Sequence, residues 1–212
     1  MTRNAFDDEL DSLHHDLIRM GSKAKEQISA CITALVDQDA KLAQKIIDDD
    51  DIVDGMEIDI EERCVKLIAR QQPLASDLRR IFTSIKIVTD LERIADHAVD
   101  IAKITLKLKP LIDIPRAAEI VQDMIRVSLE SYIKLDINMA ETIHKKDDEI
   151  DALYKQVFSE LLVLMMQDPK KINQSTQFLF VFKYLERIAD HCTNICEWTV
   201  YLMTGDYKDL ND

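Results

Sequence analysis

"LERIADH" occupies residues 91–97 and returns unchanged at residues 185–191 of a 212-residue chain. Two identical heptads 94 residues apart point to an internal duplication. The likeness extends beyond the heptads. "DDDDIVDGME" (48–57) lies over "KKDDEIDALY" (145–154), so Asp50, Asp51 and Asp54 match Asp147, Asp148 and Asp151. Just upstream, Asp39, Ala43 and Ile46 match Asp136, Ala140 and Ile143. This second set stands at an offset of 97 against 94 for the heptad, the size of a change in one short loop.

Each copy reads as three helices. With only 3 glycines and 4 prolines, the chain is poor in the turns a β protein needs. In the first copy a helix runs from about Asp8 to Val36 and breaks at "DQD", where Asp37 or Asp39 can cap the next. The second runs to about Gln72, and the third from Pro73–Ser76 to before Pro110. In the second copy the breaks fall at "KLD" (134–136) and "QDPKK", with Asp168 as N-cap and Pro169 at the first helical position. The expected fold is all-α: two tandem repeats of an antiparallel three-helix bundle, with six long helices. The repeats are expected at 1–109 and 116–205, with residues 110–115, inside "KPLIDIP", as the linker.

Composition narrows the function classes. Hydrophobic residues make up 47% and charged residues 32%, a globular balance. A net charge of −13 argues against nucleic acid and against an anionic membrane surface. No apolar run reaches signal-peptide or membrane-span length, so no transmembrane segment is expected. The four cysteines, Cys31, Cys64, Cys192 and Cys196, read as reduced thiols of a cytosolic protein. Cys192 and Cys196 stand one turn apart like a ligand pair, but they match Ala98 and Ala102 on the core face.

The heptad also places charge. At about 100° per residue, Leu91, Ile94, Ala95, Ala98, Ile101 and Ala102 share the core arc. Glu92, Asp96 and Asp100 form a separate stripe within roughly 80°. On the preceding helix Asp50, Asp54, Glu57 and Glu61 share one face, with Ile52, Val53, Met56 and Ile60 on the other. Two neighbouring helices thus carry acid-x-x-x-acid pairs, Asp50/Asp54 and Glu92/Asp96. The second copy repeats them as Asp147/Asp151 and Glu186/Asp190. Like charges at i and i+4 repel by a few tenths of a kcal/mol, and a bound cation relieves convergence of four. Hard oxygen donors suit Mg, Ca, Mn and Fe, with Zn within range. Acidic helix stripes are ordinarily solvated faces, so two readings of these eight residues stand side by side, with Asp100 and Asn194 as additional candidate ligands. His97 and His191 sit at the stripe's edge, and Arg93 and Arg187 balance local charge.

Enzyme patterns are missing. The di-iron carboxylate bundle needs two Glu-x-x-His motifs. "ETIH" (141–144) supplies one, and its first-copy counterpart, Gln44 to Ile47, does not. No phosphate loop, nucleophile elbow or Ser/His/Asp grouping occurs. The chain reads as no enzyme. On the final helix Phe180, Tyr184, Trp198 and Tyr201 lie away from the core, where the first copy has Lys86, Asp90, Ile104 and Lys107. This row either packs on another part of the chain, such as the first helix, or forms a self-association or partner face.

"QQPLASDLRRI" (71–81), "DLERIADHAVDIAK" (90–103) and "YLERIADHCTNICEW" (184–198), with the acidic segments before them, resemble the PhoU family over nearly the whole chain. Two departures stand out. Ala95 and Ala189 replace an expected Gly, and Asp100 and Glu57 become Asn194 and Tyr154 in the second copy. The second site is therefore expected to be weaker. The resemblance implies two three-helix bundles with multinuclear metal clusters, iron or zinc favoured. It implies a negative regulator of the phosphate-starvation response that links the phosphate ABC transporter ATPase to the sensor histidine kinase. Such proteins work in the cytoplasm at the inner membrane face, commonly as homodimers. The alternative is a helical scaffold or metal carrier whose acidic faces are structural or store metal.

Overall fold

The computed structural model describes residues 3–107 and 114–210. The elements are α1 (Arg3–Asp37), α2 (Ala40–Asp48), α3 (Asp51–Gln71), α4 (Ala75–Thr105), α5 (Pro115–Lys134), α6 (Ile137–Ala140), α7 (His144–Gln167) and α8 (Ile172–Thr204), with a 3₁₀ turn at Pro169–Lys171. No strand occurs among the described residues. Among the described residues six helices are long, three per half, as the periodicity predicts. Of the expected linker, residues 110–113 lie outside the described residues, and α5 begins at Pro115.

Both halves open their middle helix in one way. Gln38 (φ 55°) and Leu135 (φ 51°) are left-handed, a cost of about 1–2 kcal/mol for a residue with a Cβ. The next amide in each half bonds back across the turn, Asp39 to the Ala34 carbonyl and Asp136 to that of Ser131, both at 2.9 Å. The carboxylates of Asp39 and Asp136 then cap α2 and α6. The expected unbroken helix from Asp39 to Gln72 is interrupted at Asp49–Asp50. Asp50 makes no side-chain cap there, and the second half is interrupted as well, at Glu141–Ile143. Asp168 caps the 3₁₀ turn that leads into α8. The three-residue difference in offset falls between the acidic segment and the heptad: 38 residues separate Asp54 from Glu92, against 35 from Asp151 to Glu186.

The predicted core arc is buried in both copies, including the free thiols of Cys192 and Cys196. Burial pushes the Cys196 thiol up to about 12, so it packs as a small apolar group. Val53 and Ile60 are buried as expected, but Ile52, on the first turn of α3, is exposed. Where α1 crosses α5, a Cβ on Gly21 would stand 2.5 Å from Leu129 Cδ2, so glycine permits the close approach.

The most extensive helix contact joins the halves through α4 and α8. Phe82 meets Trp198, Asp90 meets His191 and Asn194, and His97 meets Tyr184, so the two helices run antiparallel. Under the duplication Asp90 corresponds to Tyr184 and His97 to His191. The Asp90–His191 and Tyr184–His97 contacts are therefore one contact made in both directions. The seam is self-complementary, as across a two-fold axis. It also accounts for most of the aromatic row. Trp198 and Tyr201 pack edge-on against Phe82, and Lys86 Nζ lies 5.7 Å over the Trp198 ring. Phe180, 48% exposed, stacks on Tyr184. Tyr184, Trp198 and Tyr201 pack on α4 of the other half, not on the first helix.

Candidate metal centre

The break at Asp49–Asp50 positions the first acidic set. It brings Asp50 to the mouth of α3, one turn before Asp54, while Asp96 projects from the middle of α4. Carboxylate oxygens of Asp50, Asp54 and Asp96 lie within 4.8 Å of one another. Glu92, one turn before Asp96, has its Oε2 buried with no hydrogen-bond partner. Its nearest cation is the neighbouring Arg93, whose Nε lies 3.3 Å away. Burial, then the Asp96 charge, raises the Glu92 carboxyl to about 7. Burial and neighbouring aspartates also raise Asp50 and Asp54. Arg93 reaches Asp96 at 3.1 Å, and Asp100 pairs with Lys103 at 3.7 Å. Glu57 is raised by burial and by Glu61, against a hydrogen bond from Thr89.

The second set keeps the acids and changes their company. Burial pushes Asp147 up to about 6, although the Thr193 hydroxyl donates to its Oδ1 at 3.2 Å. Asp190 is raised by burial and Glu186, and pairs with Arg187 at 3.5 Å. Lys183 pairs with Glu186, and Lys155 with Asp151 at 3.3 Å. Lys183 Nζ also lies 5.6 Å over the Tyr154 ring. Lys183 and Tyr154 stand where the first half has Thr89 and Glu57. The Asn194 amide donates to Asp90 across the seam at 3.0 Å, so it is engaged there. Among the described residues, the three aspartates of the first set are the group gathered tightly enough for one ion. Those three, with Glu92, whose buried Oε2 is ion-paired with Arg93 but accepts no hydrogen bond, fit a hard divalent cation as an oxygen-only donor set.

The sequence model of the PhoU domain matches residues 17–105 and, a second time, residues 114–199. The chain belongs to the PhoU family. It is 50% identical, over the full length of both chains, to a "phosphate-specific transport system accessory protein PhoU homolog" of Clostridium acetobutylicum. It is 34% identical to the Escherichia coli accessory protein PhoU, covering 97% of this chain and 88% of that one. The crystal structure of PhoU from Pseudomonas aeruginosa superposes with a TM-score of 0.91 at 35% identity, covering 95% of this chain and all of that one. The Streptococcus pneumoniae phosphate transport system regulatory protein PhoU gives 0.90 at 33% identity, covering 96% and 99%.

Sequence reasoning missed two polar clusters of this PhoU chain. Asp90 lies outside the acidic stripe, and its pairing with His191 (2.8 Å) needs the antiparallel seam to be known. Glu197 is buried on α8 and accepts from the Tyr207 hydroxyl at 2.6 Å and the Leu210 amide at 2.9 Å. Its signal was there: a lone acid directly after core Cys196, with tyrosine ten residues on.

Proposed function

We infer that the chain is an accessory protein of phosphate transport whose carboxylate clusters hold metal. The observation that carries the metal reading is the first site, where three carboxylates converge beside a buried glutamate oxygen without a hydrogen bond. A divalent cation would neutralise this group and favour its ionised form. Asp50, Asp54, Asp96 and Glu92 would hold it, and Asp147, Asp151, Glu186 and Asp190 would form a weaker second site. Asp100 and Asn194 stand at the edges of the two sites. Iron and zinc follow from the family resemblance, and the donor set also admits Mn, Mg and Ca.

The transport reading rests on relatives named as phosphate-specific transport system accessory proteins. On this reading the chain is a non-enzymatic adaptor and a negative regulator of the phosphate-starvation response. It works at the inner membrane face between the transporter ATPase and the sensor histidine kinase, as a homodimer. No helix among the described residues is long and apolar enough to cross a membrane, so partners would hold it there. The two repeats would span 1–109 and 116–205, each with one site. The test is a phosphatase reporter in a deletion strain at high phosphate. Constitutive output, restored to repression by this chain, supports the adaptor. Repression that persists in the deletion strain favours the scaffold or metal-carrier reading. Pull-downs against the ATPase and the kinase check the partners, and light scattering checks the dimer.

A further inference from the structure

A cavity of about 290 Å³ lies where the halves meet, walled by α1, α4, α5 and α8, far along α4 from the acidic stripe. Its lining is mostly apolar, with Leu10 and Leu13 from α1 and Leu202 and Met203 from α8. Its polar groups come from both halves. Arg79 and Arg80 of α4 face Tyr132 of α5, whose hydroxyl lies 3.1 Å from His14 Nδ1. In a chain of net charge −13, two arginines in one apolar cavity are an exception.

Arg79 has no carboxylate partner among the described residues. Its guanidinium lies 5.7 Å over the Tyr201 ring and rests on Gly205, where a Cβ would stand 2.6 Å from Nη2. The α8 C-terminus beside it offers about half a negative charge, which leaves a net positive centre. Arg80 reaches Asp11 at 3.2 Å in an exposed pair that costs little to exchange. The second copy has Asn173 and Gln174 at the corresponding positions, so the arginine pair is not repeated there.

We propose that this cavity binds a small, freely diffusing amphipathic anion, a carboxylate or phosphate head on an apolar body. Arg79 takes the head, with Tyr132 as a hydrogen-bonding group, and the leucines and Met203 enclose the tail. A planar guanidinium matches either head in fork geometry, and an apolar cleft with a few convergent polar groups is the usual form of such a site. A ligand here touches both halves at once, and so reports on their packing.

The experiment is titration calorimetry on the full chain with octyl phosphate and octanoate. Inorganic phosphate and 1-octanol serve as the head alone and the tail alone. Saturable one-to-one binding of an octyl anion is expected, weakened about tenfold or more for either half-molecule. Arg79→Gln should weaken it by a similar factor, and Met203→Trp, at the exposed rim, should block it while circular dichroism stays unchanged. Asp96→Asn should leave it intact, which separates this cavity from any metal-borne phosphate. Failure of octyl anions to bind, equal binding by Arg79→Gln, or binding only to phosphatidylglycerol vesicles would each overturn the proposal.

Discussion

The two acidic sites began as copies and now differ in how their charge is met. In the first, Asp50, Asp54 and Asp96 crowd together and Glu92 keeps a buried oxygen without a hydrogen bond. In the second, lysines on the same helices answer Asp151 and Glu186, and a threonine hydroxyl answers Asp147. Few exchanges separate them. Glu57 and Thr89 give way to Tyr154 and Lys183, Ile58 to Lys155, and Val99 to Thr193. The acids named by the motif survive, while the residues around them decide how much uncompensated charge is left for a cation. A motif fixes donors; its neighbours set affinity.

The largest effect should come from removing one donor in each half separately. Asp96→Asn should lower metal affinity by at least the roughly tenfold loss seen for an outer-shell partner, and Asp190→Asn should change it far less. Elemental analysis of the purified single variants measures this, and equal losses would break the contrast. The reverse exchange sharpens it. Lys183→Thr with Tyr154→Glu rebuilds the first-half surroundings in the second half, and should raise second-site affinity several-fold in a chelator competition assay.

The third expectation concerns pH. Glu92 stands at about 7 against 4.5 for a free glutamate, and Asp147 at about 6 against 3.8 for a free aspartate. Both are raised, so the folded state binds more protons than the unfolded state across these windows. The metal-free protein should therefore be most stable at acidic pH and lose stability as pH rises through about 6 and then about 7. Thermal melts in chelator should show this slope. Glu92→Gln should flatten the upper part and Asp147→Asn the lower, while added metal should reverse the trend by binding the ionised folded state. The smallest effect belongs to Lys155→Ala. Its pair with Asp151 is exposed, and the melt should move by less than about 0.5 kcal/mol.

Much of this was legible from one heptad. Its repetition announced two copies, its periodicity separated core from stripe, and the core arc was buried as read. The grouping of Asp50, Asp54 and Asp96 followed from i, i+4 spacing on adjacent helices. Glu186 and Asp151 share that spacing, but their neutralisation depends on Lys183 and Lys155, whose side chains fold back along their own helices. Helical periodicity gives direction only, and does not say which partner a flexible lysine chooses. The break at Asp49–Asp50 escaped because apolar periodicity runs through it. The α4–α8 seam escaped because long-range pairing leaves no local signal.

That seam has a consequence for how the molecule comes apart. Each half lends the other one flank of its central helix, and Asp90, His191 and Asn194 satisfy one another only across the boundary. Released alone, the first half would present the buried Asp90 to water, and the second its aromatic ledge. Sequence halves and folding units thus need not coincide. The full chain should melt in a single cooperative transition by calorimetry, whereas residues 1–109 alone should associate, one copy covering the other's α4.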